Sequence, residues 1–297
     1  MRVAEQVNGL VVVDKEAGWT SHDVVARCRR IFGQRRVGHA GTLDPDATGV
    51  LLVALGRATR LVRFLTALEK SYVGEVVLGV ATSTLDASGE VTGTWEMEDV
   101  PLADVRSAAA SLTGEIEQVP PMVSAVKVGG RRLHELAREG IEVERTPRPV
   151  TVFRFDVAPG SGPGTFRIEV DCSSGTYVRV LAADLGAALG GGAHLRGLRR
   201  TRIGSFGLAD AHLVDELGPA QALTPAEALR DLDQVVVPRD AETQVARGLP
   251  LDRVPLGITG EGPWGLLDAH QRLLAVYEAT DTDRIRPAVV VPAEAIA

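Results

Sequence analysis

Between Gly38 and Gly49 the chain reads Gly-His-Ala-Gly-Thr-Leu-Asp-Pro-Asp-Ala-Thr-Gly, which gathers three glycines, a proline, a histidine and two carboxylates into one short segment. A carboxylate can work as a nucleophile or as an acid–base group, and Asp44 is the better held of the two. Pro45 fixes the position that follows Asp44 and biases Asp44 itself away from helix, while glycines allow positive φ and close approach of backbone to a ligand. The same composition also fits an elaborate turn, because loops rich in Gly and Asp are common. His39 has no second ligand at metal spacing, so no metal site is read there. A loop histidine bonded to backbone is its plain alternative.

The flanking elements would have to hold this segment. Gly9 to Lys15 reads as a short strand closed by a turn at Gly18, and a helix follows, capped by Thr20 or Ser21. Val24, Val25, Cys28 and Ile31 recur at helical spacing, and Gly33 stands where a helix would stop. A loop from Gln34 to Gly49 then leads into Val50 to Leu55, a buried strand. Tyr72 to Val80 and Phe166 to Cys172 read as further strands, the second alternating apolar and charged residues. Helices are expected over Leu102 to Leu112, Leu133 to Glu139 and Tyr177 to Leu189, with a short one over Thr224 to Leu232. The fold class is mixed α/β (α+β).

A domain boundary is expected near residue 235, giving a 1–235 domain and a small all-β module over 236–297, of about 60 residues. Pro120 to Pro149 carries Lys127, Arg131, Arg132, Arg138, Arg145 and Arg148 around two glycines, and reads as an excursion from the core.

The net charge of −7 argues against nucleic acid at first sight, but the charge is segregated. Residues 1–70 carry 11 Lys+Arg against 7 Asp+Glu and residues 121–210 carry 13 against 9, whereas 71–120 carry 1 against 9 and 211–297 carry 7 against 14. An acidic protein can therefore still present a basic face. Arg35 and Arg36, the residues between 127 and 148, and Arg196, Arg199, Arg200 and Arg202 are candidates for a phosphate-tracking surface. The two cysteines, Cys28 and Cys172, have neither disulfide-framework nor metal-ligand spacing, which fits a reducing cytoplasm. No apolar run is long enough to cross a bilayer.

Gly38-His-Ala-Gly-Thr-Leu-Asp44-Pro-x-Ala-Thr-Gly49-Val-Leu resembles the signature of the bacterial tRNA pseudouridine-55 synthases, the TruB family. Gly9-Leu-Val-Val-Val-Asp-Lys15-x-x-Gly-x-Thr-Ser21 is similar to that family's first motif, and Lys70-Ser-Tyr72 to its tyrosine motif. Pro121-Met-x-Ser124-Ala-x-Lys127, Gly175-Thr-Tyr177-x-Arg179 and Leu198-Arg199-Arg200 follow in the family's order. An ordered set of this extent is far more specific than one short motif. Glu16 departs from the family's usual proline after Lys15, a change that touches the rigidity of a loop.

The resemblance implies a pseudouridine-synthase fold, with a central, largely antiparallel mixed sheet flanked by helices and a C-terminal β-rich PUA-like RNA-binding domain. It implies isomerisation of uridine to pseudouridine in the T-loop of tRNA, without cofactor or metal, by a cytoplasmic monomer. Asp44 would be the catalytic carboxylate, open to attack at C6 or C1′ or to proton removal at C2′. Burial alone would raise its pKa, so a cation is needed, and the resemblance assigns that part to Arg179. Tyr72 would stack on the flipped base, Tyr177 and Leu198 would wall the pocket, His39 would hold bases rearranged by flipping, and Lys15 would be a structural part of its motif. Residues from about 120 to 149 would form a thumb on the T-arm. Two rivals stand beside this reading. One is a tRNA-folding chaperone with catalysis secondary. The other is an aspartyl phosphotransferase, whose D-x-D-x-T pattern Asp44-Pro-Asp46-Ala-Thr48 fits; that class needs an apolar strand running straight into the first aspartate, and here Gly38 to Thr42 precedes it.

Overall fold

The computed structural model describes residues 6–124, 127–133, 136, 139–141 and 143–291, with the side chains at 127, 128 and 132 outside the description. The expected helix from Leu133 to Glu139 and the position of Arg138 therefore lie largely outside the described residues.

The first strand, β1 (Gly9–Lys15), is followed by helix α1 (Ser21–Ile31), β2 (Val37–Ala40) and β3 (Thr48–Leu55). Helix α2 (Val62–Ala67) leads to β4 (Lys70–Leu78), the hairpin β5 (Val80–Thr82) and β6 (Val91–Thr94), α3 (Leu102–Ser111) and β7 (Gly114–Gln118). A small ribbon, β8 (Lys127–Val128) and β9 (Arg131–Arg132), lies in the excursion. The chain then returns through β10 (Arg148–Pro159), β11 (Thr165–Cys172), α4 (Val178–Ala188), β12 (Ala193–Ile203) and β13 (Phe206–Gly207). Among the described residues the main sheet has nine strands in the order β1-β3-β12-β4-β11-β10-β7, with β2 also paired to β3 and β13 to β12. Its pairings are antiparallel except β12 with β3.

The unbroken apolar run in β3 has a simple cause. Val50, Leu52 and Ala54 enter one core cluster with Leu10 and Val12, while Leu51, Val53 and Leu55 enter another with Val24, Val25 and Cys28 of α1. A strand covered on both faces need not alternate. A third cluster joins Val105 and Ala109 of α3 with Leu181, Ala182 and Leu185 of α4 on the sheet.

Some expectations are corrected here. The loop from Gln34 to Gly49 contains a strand, β2, which pairs with β3 from Val37 opposite Leu55 to Ala40 opposite Leu52, and β3 itself starts at Thr48. Its four residues carry two buried ends around Gly38 and His39, too short a pattern to stand out. The strand read as Tyr72 to Val80 is broken at Gly79, whose φ of +83° and whose approach to the Trp95 carbonyl leave no room for a side chain. Only a turn of 3-10 helix, Glu227–Leu229, forms where a helix was expected over 224–232.

The C-terminal part is not all β. It forms a five-stranded sheet of order β14-β16-β17-β18-β15, built from β14 (Asp233–Val236), β15 (Leu251–Asp252), β16 (Trp264–Leu267), β17 (Leu273–Ala279) and β18 (Arg284–Val290). It also contains α5 (Arg239–Ala246), and β14 runs parallel to β16. Leu267, Leu273, Val276 and Val289 of this sheet pack into the cluster of Leu10 and Leu52, so the two sheets share apolar contacts.

Candidate active site

The connection from β2 to β3 carries Asp44, and its backbone is held almost atom by atom. Arg200 of β12 donates from Nη2 to the Gly41 carbonyl at 3.2 Å, from Nη1 to the Thr42 carbonyl at 3.3 Å and from Nε to the Val50 carbonyl at 2.7 Å. Ser21, at the start of α1, donates to the Leu43 carbonyl and accepts from the Leu43 amide at 3.0 Å. The Ala47 amide donates to the Asp44 carbonyl at 3.2 Å, and the Gly18 amide to the Pro45 carbonyl at 2.9 Å. Lys15 Nζ, at the end of β1, donates to Pro45, Glu16 and Trp19 carbonyls at 2.9, 2.9 and 2.7 Å. Every carbonyl from Gly41 to Pro45 thus accepts a hydrogen bond, which holds this irregular segment in one conformation. At Gly49 the φ is +101°, and a Cβ would lie 2.1 Å from the Arg200 carbonyl oxygen, so the approach of β12 demands glycine.

Arg179 meets Asp44 from the first turn of α4. Its Nε lies 2.9 Å from Asp44 Oδ2 and its Nη2 3.3 Å from Oδ1, a bidentate pair. The guanidinium is anchored by donation to the Thr84 and Val123 carbonyls at 2.8 and 2.9 Å, and its side chain is only 5% exposed. Asp86 Oδ2 stands 3.6 Å from Nη1. Burial pushes the Asp44 carboxyl above the usual carboxylate range; Arg179 opposes the rise, and the neighbouring Asp86 charge adds to it. Asp44 nevertheless keeps 40% of its side chain open, because it faces a cavity.

That cavity, of about 250 Å³, is walled by Tyr72, Tyr177, Val178 and Leu198 around Asp44 and Arg179, with Lys70, Ser124 and Arg200 also reaching it. A second cavity of about 230 Å³ shares Asp44, Arg179 and Leu198 and extends to Asp46 and Asp86. Tyr72 is buried on β4 opposite Arg200, and burial pushes its phenol up, leaving it neutral. Burial brings both Lys15 and Lys70 down to about 8. Among the described residues no three His, Cys, Asp or Glu side chains gather as metal ligands, and no helix is long and apolar enough to cross a membrane.

Asp44, Tyr72, Tyr177, Arg179 and Leu198 are therefore brought together, although they come from four separate parts of the chain. His39 is not on the cavity wall; it sits on β2, its ring edge-on to His22 at 5.4 Å between centroids. Arg35 and Arg36 are exposed, and Arg36 Nε donates to Thr59. Arg131 pairs with Glu139, and Arg199 with Asp14 at 2.7 Å. The side chains of Lys127 and Arg132 lie outside the described residues. Arg200 requires a correction: it is 1% exposed and spends its guanidinium on loop carbonyls, so it is not a surface phosphate contact. The residues Leu198-Arg199-Arg200 cross a bulged part of β12, where the register shifts, and Arg200 points into the site.

A family model described as TruB family pseudouridylate synthase, N-terminal domain, matches residues 29–178, and one described as tRNA pseudouridylate synthase B C-terminal domain matches 179–243. The chain belongs to the TruB family. The tRNA pseudouridine synthase B of Mycobacteroides abscessus is 50% identical over 280 residues, covering 90% of this chain and 91% of its own. That of Mycobacterium ulcerans is 48% identical over 294 residues, covering 95% and 94%. Among solved structures, a chain of a Cbf5-Nop10-Gar1 complex superposes with a TM-score of 0.72 at 28% identity, covering 96% of this chain and 84% of that one. An archaeal box H/ACA Nop10-Cbf5 complex gives 0.70 at 25%, covering 96% and 86%. The pseudouridine-synthase fold with its central mixed sheet follows from these likenesses and from the strand order itself. The family's isomerase chemistry displaces the phosphotransferase rival, and β2 ends at Ala40, well short of Asp44.

Sequence reasoning missed Asp86, Lys70 and the inward role of Arg200. Asp86 sits in a Thr-Leu-Asp-Ala-Ser-Gly turn that looks like any surface turn; nothing in its spacing ties it to Arg179. Lys70 opens the tyrosine motif, and its position there was the available signal.

Proposed function

We propose that this chain converts uridine to pseudouridine at position 55 in the T-loop of tRNA, with Asp44 as the catalytic carboxylate and without a cofactor. The observation that carries the reading is the bidentate Asp44–Arg179 pair opening onto a cavity walled by Tyr72, Tyr177 and Leu198. The reaction breaks the C–N bond to the sugar, turns the uracil and joins C5 to C1′, so it has no redox step. Asp44 serves it by attack at C6 or C1′, or by taking a proton at C2′. The target base must leave its stack, which costs a few kcal/mol, and stacking on an aromatic ring returns roughly 1–3 kcal/mol. Tyr72 supplies that ring from the cavity wall. Lys15 and Arg200 hold the loop that carries Asp44.

Residues 1–235 are assigned as the catalytic domain, 120–149 as its RNA-gripping thumb and 236–297 as a PUA-like RNA-binding module. The names of the Mycobacteroides and Mycobacterium relatives support tRNA as the substrate. Arg35, Arg36, Lys127, Arg131, Arg132 and Arg199 are assigned to its phosphates, His39 to rearranged bases, and the enzyme to the cytoplasm as a monomer. Purified protein without metal or nucleotide should release tritium from an unmodified tRNA labelled at C5 of its uridines. Asp44→Asn should lower the rate by at least ~100-fold. No release by the wild type, or release by Asp44→Asn at the wild-type rate, would remove the assignment.

A further inference from the structure

Gln118 is the last residue of β7 and is 2% exposed. Both ends of its side-chain amide engage one residue: Oε1 accepts from the Tyr177 amide at 2.9 Å, and Nε2 donates to the Tyr177 carbonyl at 3.3 Å. A two-point clamp of this kind fixes the two peptide groups on either side of the Tyr177 Cα. Tyr177 is the N-cap of α4 and makes no side-chain capping bond; Gln118 satisfies the amide of Tyr177 itself, one of the groups at a helix start that has no intrahelical partner. Arg179 lies two residues further on, in the first turn. A small displacement of that turn would move a guanidinium whose two contacts to Asp44 are 2.9 and 3.3 Å long.

Gln118 also stands where the excursion is rooted. It pairs across the ladder with Arg148, the first residue of β10, and the chain between those two residues is the excursion. The excursion touches Arg179 a second time, since the Val123 carbonyl accepts from Nη2. The turn that carries the arginine is thus held at Tyr177 by the root of the excursion, and the guanidinium is held by the excursion itself. We infer that Gln118 is a positioning residue, tying the base of the excursion to the Asp44–Arg179 pair so that the two are set together. The inference rests on the assignment of Asp44 and Arg179 proposed above. A glutamine that only satisfied a buried amide would leave the limiting rate unchanged.

The test is single-turnover tritium release at saturating tRNA, together with tRNA affinity by filter binding. It uses wild type, Gln118→Leu, Gln118→Glu, Arg179→Lys and the double variant Arg179→Lys/Gln118→Leu. Gln118→Leu removes both bonds and should lower the limiting rate about tenfold, the effect of one or two neutral hydrogen bonds, with Kd unchanged within about twofold. Gln118→Glu keeps the acceptor for the Tyr177 amide and should recover part of that loss. The double variant should be no slower than Arg179→Lys alone, because Gln118 acts only through the arginine. A Gln118→Leu rate within about twofold of wild type, a loss that appears in Kd instead, or additive losses in the double variant would each overturn the inference. If Gln118→Leu does not fold, Gln118→Glu decides: a slower limiting rate at unchanged Kd supports the role, and a wild-type rate overturns it. A wild type without tritium release would instead sink the assignment of Asp44.

Discussion

Replacing Arg179 with lysine separates the geometry of the site from its charge. In the native site two nitrogens of one planar group reach two oxygens of Asp44, at 2.9 and 3.3 Å, while the same group bonds the Thr84 and Val123 carbonyls. A lysine keeps the positive charge but is a point donor on a flexible stem and cannot make the forked pair. At least one charge-assisted bond to Asp44 is lost, worth about 1.5–3 kcal/mol, so the limiting rate should fall by roughly 10- to 100-fold. The acid limb of the pH–rate profile should move as well. The working form of Asp44 is the carboxylate, and burial already holds its pKa above the usual range. Weakening the arginine contact raises it further, so activity should be lost at a higher pH as the medium is acidified. Asp86→Asn removes the neighbouring like charge and should shift the same limb the opposite way, toward lower pH. Single-turnover tritium release from pH 5 to 8 reads both shifts. If the two variants moved the limb in the same direction, or Arg179→Lys kept the wild-type rate and profile, the electrostatic account of the site would be wrong.

Other outcomes follow from the same contacts. Gly49→Ala must place a Cβ 2.1 Å from the Arg200 carbonyl at a φ of +101°, and should cost roughly 3–5 kcal/mol in urea unfolding; a loss under about 1 kcal/mol would show that β12 can move away. Lys15 and Lys70, held near 8 when folded and near 10.5 when unfolded, lose protons first in the folded state, so stability should rise by about 1 kcal/mol for each of them, about 2 kcal/mol together, between pH 8 and 9. Above pH 9 the thiols of Cys28 and Cys172, pushed up to about 11, act in the opposite sense and should flatten the curve, and Lys15→Met should roughly halve the rise. Arg131→Ala should weaken tRNA binding and reduce its salt slope by about one ion, and an unchanged slope would take the excursion out of the interface.

By itself the sequence determined the elements whose signals are local. Thr20 caps α1, with Asp23 completing a capping box, because the hydroxyl and the carboxylate are three residues apart and satisfy each other's backbone amides. The alternation in Phe166 to Cys172 marked a strand with one face buried, and the Asp44 loop announced itself through its glycines and proline. The ordered motifs carried the family, whose membership the relatives and family models establish. What only the tertiary structure decided is where long-range contacts end up. β2 is a strand because β3 offers it an edge, and the C-terminal sheet includes a helix and a parallel pair that no local pattern announced. Arg200 lies in a run of arginines that reads as a basic surface; the bulge in β12 turns it inward, where five loop carbonyls needed donors and it supplies two of them. Asp86 comes to Arg179, and Gln118 to Tyr177, across 93 and 59 residues of sequence. Side-chain type and spacing carry no information about such meetings, because the order of the strands and the packing of α4 and of the β5–β6 turn against them bring these positions together.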